Sequence, residues 1–88
     1  MSVAEEMHIL LTEAFAPARL AIINDSAKHR GHSGDDGSGE SHFTVVIESE
    51  AFAGKSRLER QRMVNSALGD LPGQRVHALA IKARAPGE

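Results

Sequence analysis

The chain contains no cysteine, no tryptophan and no tyrosine among its 88 residues. Without cysteine there can be no disulfide, no thiolate metal ligand and no cysteine nucleophile. A reducing cytoplasm suits that composition, and we expect a cytoplasmic protein. The only aromatic residues with a full π-face are three phenylalanines, which argues against a base-stacking platform for RNA. No uncharged apolar run approaches the ~20 residues that span a bilayer, and no basic-then-apolar leader opens the sequence. The expectation is a soluble protein with no membrane partner.

What is abundant is histidine, with five copies. His29 and His32 sit in a glycine-rich stretch, Lys28-His29-Arg30-Gly31-His32-Ser33-Gly34, and His77 opens the run Val76-His77-Ala78-Leu79-Ala80-Ile81. With no thiolate, imidazole is the one side chain here that binds a borderline metal strongly. Asp35 and Asp36 are the carboxylates that can assist within that stretch. Net charge is −2, from ten basic and twelve acidic residues. Such a balance creates no global attraction for nucleic acid or anionic lipid. Locally, Lys55, Arg57, Arg60 and Arg62 stand against only Glu59.

The elements follow from periodicity and caps. Ser2-Val3-Ala4-Glu5 reads as a capping box, followed by Val3, Met7, Leu10, Leu11 and Ala14 at helical spacing until Pro17. This predicts a helix over residues 3–15. Arg19 to Asp25 is rich in aliphatic and β-branched residues and reads as a strand. Residues 26–40 carry four glycines and no apolar residue after Ala27, so they form a long loop, a length usually reserved for function. His42 to Glu48 alternates, with Phe43, Val45 and Ile47 on one face, and completes an antiparallel hairpin around that loop.

Ala51-Phe52-Ala53-Gly54 predicts one helical turn stopped by glycine. Ser56-Arg57-Leu58-Glu59 is a second capping box, opening a helix to about Asp70 that buries Val64, Ala67, Leu68 and Leu71. Pro72-Gly73 turns the chain into a third strand over Arg75 to Ala83, and residues 85–88 read as a tail. The order is helix, strand, strand, short helix, helix, strand. That is a single small α+β domain over 1–88, a three-stranded sheet with helices on one face.

Several of these segments together resemble the BolA family: Asp25-Ser26 leading to His29, Ser41-His42-Phe43, Phe52-Ala53-Gly54-Lys55-Ser56, Arg60-Gln61-Arg62 and Val76-His77-Ala78-Leu79. They occur in order over nearly the whole chain. Two positions depart from the pattern. Gln61 stands where the family usually has histidine, and Pro86-Gly87-Glu88 stands where many members carry an acidic residue followed by tryptophan.

The resemblance implies a fold similar to the class II KH fold. It also implies a monothiol glutaredoxin as partner and a [2Fe–2S] cluster shared with that partner and glutathione, with no cofactor on the isolated protein. His77 matches the family's cluster-ligand position. His29 matches the more variable loop ligand, and His32, three residues on, is its alternative. Histidine ligation needs neutral imidazole, so it should weaken as pH falls through about 6.5. The free protein is expected to be monomeric.

The same family includes proteins described as transcriptional regulators with a helix-turn-helix-like element. That rival reading makes DNA the partner and Lys55, Arg57, Arg60 and Arg62 the phosphate contacts. On a helix those positions spread over a wide arc, and a net acidic protein would bind DNA with steep salt dependence. No Gly-x-x-Gly loop joins the middle elements. A self-contained zinc or iron site at His29, His32 and His77 is a third reading, disfavoured because two ligands lie on the long loop. His42 and His8 are expected in structural or surface roles. No serine has nucleophile-elbow context, so catalysis is not expected.

Overall fold

Ser2 and Ser56 start the two helices in the same way. In the computed structural model, which describes residues 2–25, 42–72, 76 and 78–88, helix α1 runs Val3–Phe15 and α2 runs Arg57–Leu68. The Ser2 hydroxyl accepts from the Glu5 N–H at 3.1 Å, and the Glu5 carboxylate accepts from the Ser2 N–H at 3.1 Å. Ser56 and Glu59 repeat the pattern at 3.1 and 3.2 Å. Each box satisfies first-turn amides that the helix itself cannot. The backbone bond to Ser2, reinforced by its hydroxyl, holds the Glu5 carboxyl below its ordinary value, and Ser56 does the same for Glu59.

Pro17 follows the end of α1, whose cap, Ala16, takes left-handed geometry with φ 43° while its N–H reaches the Thr12 carbonyl. Strand β1 is Arg19–Asn24, β2 is His42–Glu48 and β3 is Ala78–Arg84. The sheet order is β1-β2-β3. β1 and β2 pair antiparallel, with Leu20 opposite Ile47 and Asn24 opposite Phe43. β2 and β3 pair parallel, with His42 opposite Ala78 and Val45 opposite Ile81. A parallel pair needs a crossover; here it contains a 3-10 turn at Glu50–Phe52 and then α2.

Period-two alternation assigns each strand one inward set. Phe43, Val45 and Ile47 are buried, flanked by half-buried Leu20 and Ile22 from β1 and Leu79, Ile81 and Ala83 from β3. Val3, Met7 and Leu11 of α1 and Val64 and Leu68 of α2 cover them, with Phe52 and Val76 closing the ends. Phe15 and Phe52 lie with ring centroids 4.9 Å apart at 40°. Both helices therefore lie on one face. The other face shows Arg19, Ala21, Ile23, Ala78, Ala80, Lys82 and Arg84 exposed.

The expected elements differ from the observed ones at their margins. β1 stops at Asn24 rather than Asp25, and α2 stops at Leu68, where Gly69 at φ 63° ends it, rather than near Asp70. β3 runs from Ala78 one residue past the expected Ala83, to Arg84; the expected start at Arg75 lies outside the described residues, among which Val76 bridges Pro72. Ala14, expected on the apolar stripe, is exposed. The stretch read as a tail is docked, with Ala85 buried and the Glu88 N–H bonded to its carbonyl at 3.2 Å.

Candidate functional site

One end of the sheet gathers three connections. β1 ends where Asn24 faces Phe43, β2 begins with His42, and His42 faces Ala78, the first residue of β3. The chain therefore leaves toward residues 26–41, returns from them, and enters β3 all at this end. Asp25 extends the pairing, its N–H donating to the His42 carbonyl at 2.7 Å. The Thr44 hydroxyl donates to Oδ2 of Asp25 at 2.5 Å, a short charge-assisted bond that fixes the carboxylate. Asp25, His42, Thr44, Ala78 and Ala80 help line a cleft of about 240 Å³ here. His42 is only 7% exposed, so its role is structural rather than solvated.

His29, His32 and His77 lie outside the described residues. Among the described residues no three histidine, cysteine or acidic side chains come together as a metal site. The self-contained centre weighed at His29, His32 and His77 lies outside those residues. A site completed by residues 26–41 and a partner is a different demand, and the sheet end places Asp25 and His42 on either side of that stretch.

The second concentration of charge lies at the start of α2. Lys55, Arg57, Arg60, Gln61, Ile81 and Lys82 border a cavity of about 450 Å³ along the edge of β3. Arg60 is held from several sides. Its Nε donates to the Lys55 carbonyl at 3.0 Å, Nη1 to the Ala83 carbonyl at 3.3 Å, and the fork meets the Glu88 carboxylate at 2.6 and 2.7 Å. Arg62 is elsewhere, beside Ala14, Phe15, Met63 and Ser66. The four cations expected to act together are thus divided, three on one cavity and Arg62 away from it. Lys82 joins the three, a residue that sequence spacing could not associate with them because only the packing of α2 on β3 does so.

Comparison with known proteins adds a family to this geometry. The family model for BolA-like proteins matches residues 11–88. The chain belongs to the BolA-like family. Among BolA-like relatives, the human BolA-like protein 1 is 45% identical over 89% of this chain, which spans 54% of that protein's length. The Escherichia coli DNA-binding transcriptional regulator BolA is 37% identical over 92% of this chain and 73% of its own. A Sinorhizobium protein described as an uncharacterized protein in the cobS 5′ region is 49% identical, covering 100% of this chain and 96% of its own. The structure of BolA1 from Arabidopsis thaliana superposes with a TM-score of 0.86 at 32% identity, covering 100% of this chain and 96% of its own. The α+β arrangement of two helices and a three-stranded sheet is thus the BolA arrangement. Among the described residues no helix is long and apolar enough to cross a membrane.

Proposed function

We propose that this BolA-like protein is a non-catalytic adaptor in the cytoplasm that binds a monothiol glutaredoxin and shares a [2Fe–2S] cluster with it. His77 and one of His29 and His32 are its ligands in this reading, and a glutaredoxin cysteine and glutathione supply the thiolates. The observation that carries the reading is the convergence at the sheet end: the connections into and out of residues 26–41 and the entry to β3 share one margin. Two ligands distant in sequence thereby start from neighbouring anchor points. When bound, the cluster supplies transferable iron and sulfur at a potential raised by imidazole ligation. The protein's own part is to present neutral imidazoles, with the Asp25–Thr44 bond and buried His42 holding the strand ends that carry them.

The test is anaerobic reconstitution of the cluster with a monothiol glutaredoxin and glutathione, read by visible circular dichroism. Wild type should give a spectrum distinct from that of glutaredoxin alone, lost in His77→Ala. His29→Ala and His32→Ala separate the two loop histidines. A glutaredoxin spectrum unchanged by the wild-type protein would end this reading.

The E. coli relative's description as a DNA-binding regulator favours a second reading, in which α2 and its cations meet phosphates. Charge reversal at Arg57 and Arg62 should then abolish salt-dependent DNA binding while leaving cluster spectra intact. His77→Ala should do the reverse.

A further inference from the structure

Arg60, which borders the cavity between α2 and β3, forms with the Ala85 N–H a cradle for a carboxylate, and the chain's own Glu88 fills it. Oε1 of Glu88 accepts from Arg60 Nη1 at 2.6 Å and from the Ala85 N–H at 3.1 Å, and Oε2 accepts from Arg60 Nη2 at 2.7 Å. The guanidinium does not depend on Glu88 for its position. Its bonds to the Lys55 and Ala83 carbonyls orient the fork independently. A preorganised fork matched to a planar anion is the geometry in which arginine binds carboxylate best. Around it, Lys55, Arg57 and Lys82 border the same cavity, and among the described residues none of them has an ion-pair partner.

A single internal carboxylate leaves that charge largely unanswered. Glu59, the one acid on α2, is held in the Ser56 capping box and attracts Lys55 without an ion-pair contact. Glu88 is also open to exchange with solvent, its side chain 45% exposed at the close of the turn that follows Ala85. We propose that this cavity is a binding site for a compact anion bearing two or three carboxylates. One carboxylate of the ligand takes the place of Glu88 on Arg60 and the Ala85 N–H, and the others meet Lys55, Arg57 and Lys82. A monocarboxylate gains nothing from those cations and must compete with a tethered Glu88, whose effective concentration is high. Glu88 therefore acts as a selectivity gate for multiply charged anions.

The experiment is a titration of the ¹⁵N-labelled protein with citrate, succinate and acetate at constant ionic strength, following the Ala85 and Glu88 amides and the Arg60 Nε–H. Citrate should produce saturable shifts and acetate none. Glu88→Gln should tighten citrate binding on the order of tenfold by removing the competitor. Arg57→Ser and Lys82→Ser, both exposed positions, should weaken it severalfold while leaving the rest of the spectrum in place. Equal responses to citrate and acetate, or no gain in Glu88→Gln, would overturn the proposal. So would saturable shifts with a short DNA duplex and none with citrate, since the cavity would then serve a nucleic-acid backbone.

Discussion

Ser49 and Phe15, far apart in the chain, meet where the Ser49 hydroxyl donates to the Phe15 carbonyl at 2.8 Å. That carbonyl belongs to the last residue of α1, where helices leave acceptors unsatisfied. The same hydroxyl accepts from the Ala51 N–H at 3.2 Å and so starts the 3-10 turn that places Phe52 against Phe15. Ser49 is 2% exposed, so water cannot readily replace either bond. Ser49→Ala should cost about 1–3 kcal/mol. In a domain of this size each kcal/mol lowers the melting midpoint by roughly 4–8 °C. Urea or thermal unfolding followed by far-UV circular dichroism measures it, and an unchanged midpoint would mean the junction is not held by this hydroxyl.

Ala16 provides a change in the opposite direction. Its φ of 43° brings Cβ toward the following carbonyl, a conformation that glycine adopts freely. Ala16→Gly relieves that strain but gives the unfolded chain more freedom, and the two terms differ in size. The net expectation is a stabilisation of about 0.5–1 kcal/mol. Equilibrium urea unfolding detects it as a raised midpoint with an unchanged slope.

These two positions also show what sequence can and cannot reveal. Both capping boxes were legible because Ser2/Glu5 and Ser56/Glu59 act across three residues and need no tertiary information. The inward strand residues Phe43, Val45 and Ile47 were legible for the same reason, since alternation is local. Ser49 gives no such signal, because its acceptor lies on another element. Arg60 and Glu88 are likewise separated in sequence and meet only once α2 lies on β3, so a charged residue after Pro86 read as tail. Spacing spread the basic residues over a wide arc of the helix but does not say which side β3 will occupy, so the grouping of Lys55, Arg57 and Arg60 with Lys82 came only from packing. Family motifs point to His77 and His29, while the strand ends beside them follow from pairings, Asn24 with Phe43 and His42 with Ala78, that only the sheet reveals.

Thr44 offers a test of the sheet end that leaves the histidines intact. Its hydroxyl holds Asp25 at 2.5 Å where β1 gives way to the long connection. Thr44→Val preserves shape and β-branching while removing the donor. A lost bond to a carboxylate in a partly buried setting should cost about 1.5–3 kcal/mol, whereas Thr44→Ser should retain most of the stability. If the adaptor reading holds, Thr44→Val should also lower the yield of the mixed cluster species in reconstitution with glutaredoxin, with Thr44→Ser near wild type. A cluster yield insensitive to Thr44→Val would separate Asp25 from the function.

Glu88 connects the acid response of the protein to its newest contact. The hydrogen bonds from Arg60, then that from the Ala85 N–H, pull its carboxyl from an ordinary 4.5 down to about 2, with Arg84 adding a smaller attraction. Because the folded value lies below the unfolded one, the contact contributes stability that is fully present above 4.5 and is lost as pH falls through about 2. A ¹³C titration of the Glu88 side-chain carboxyl should therefore show a midpoint near 2 in wild type, returning toward ordinary glutamate in Arg60→Gln. Added salt should raise the wild-type midpoint, since the pair is open to solvent. A wild-type midpoint near 4.5 without ligand would show that Glu88 does not occupy the cradle in solution, and the gate would lose its basis.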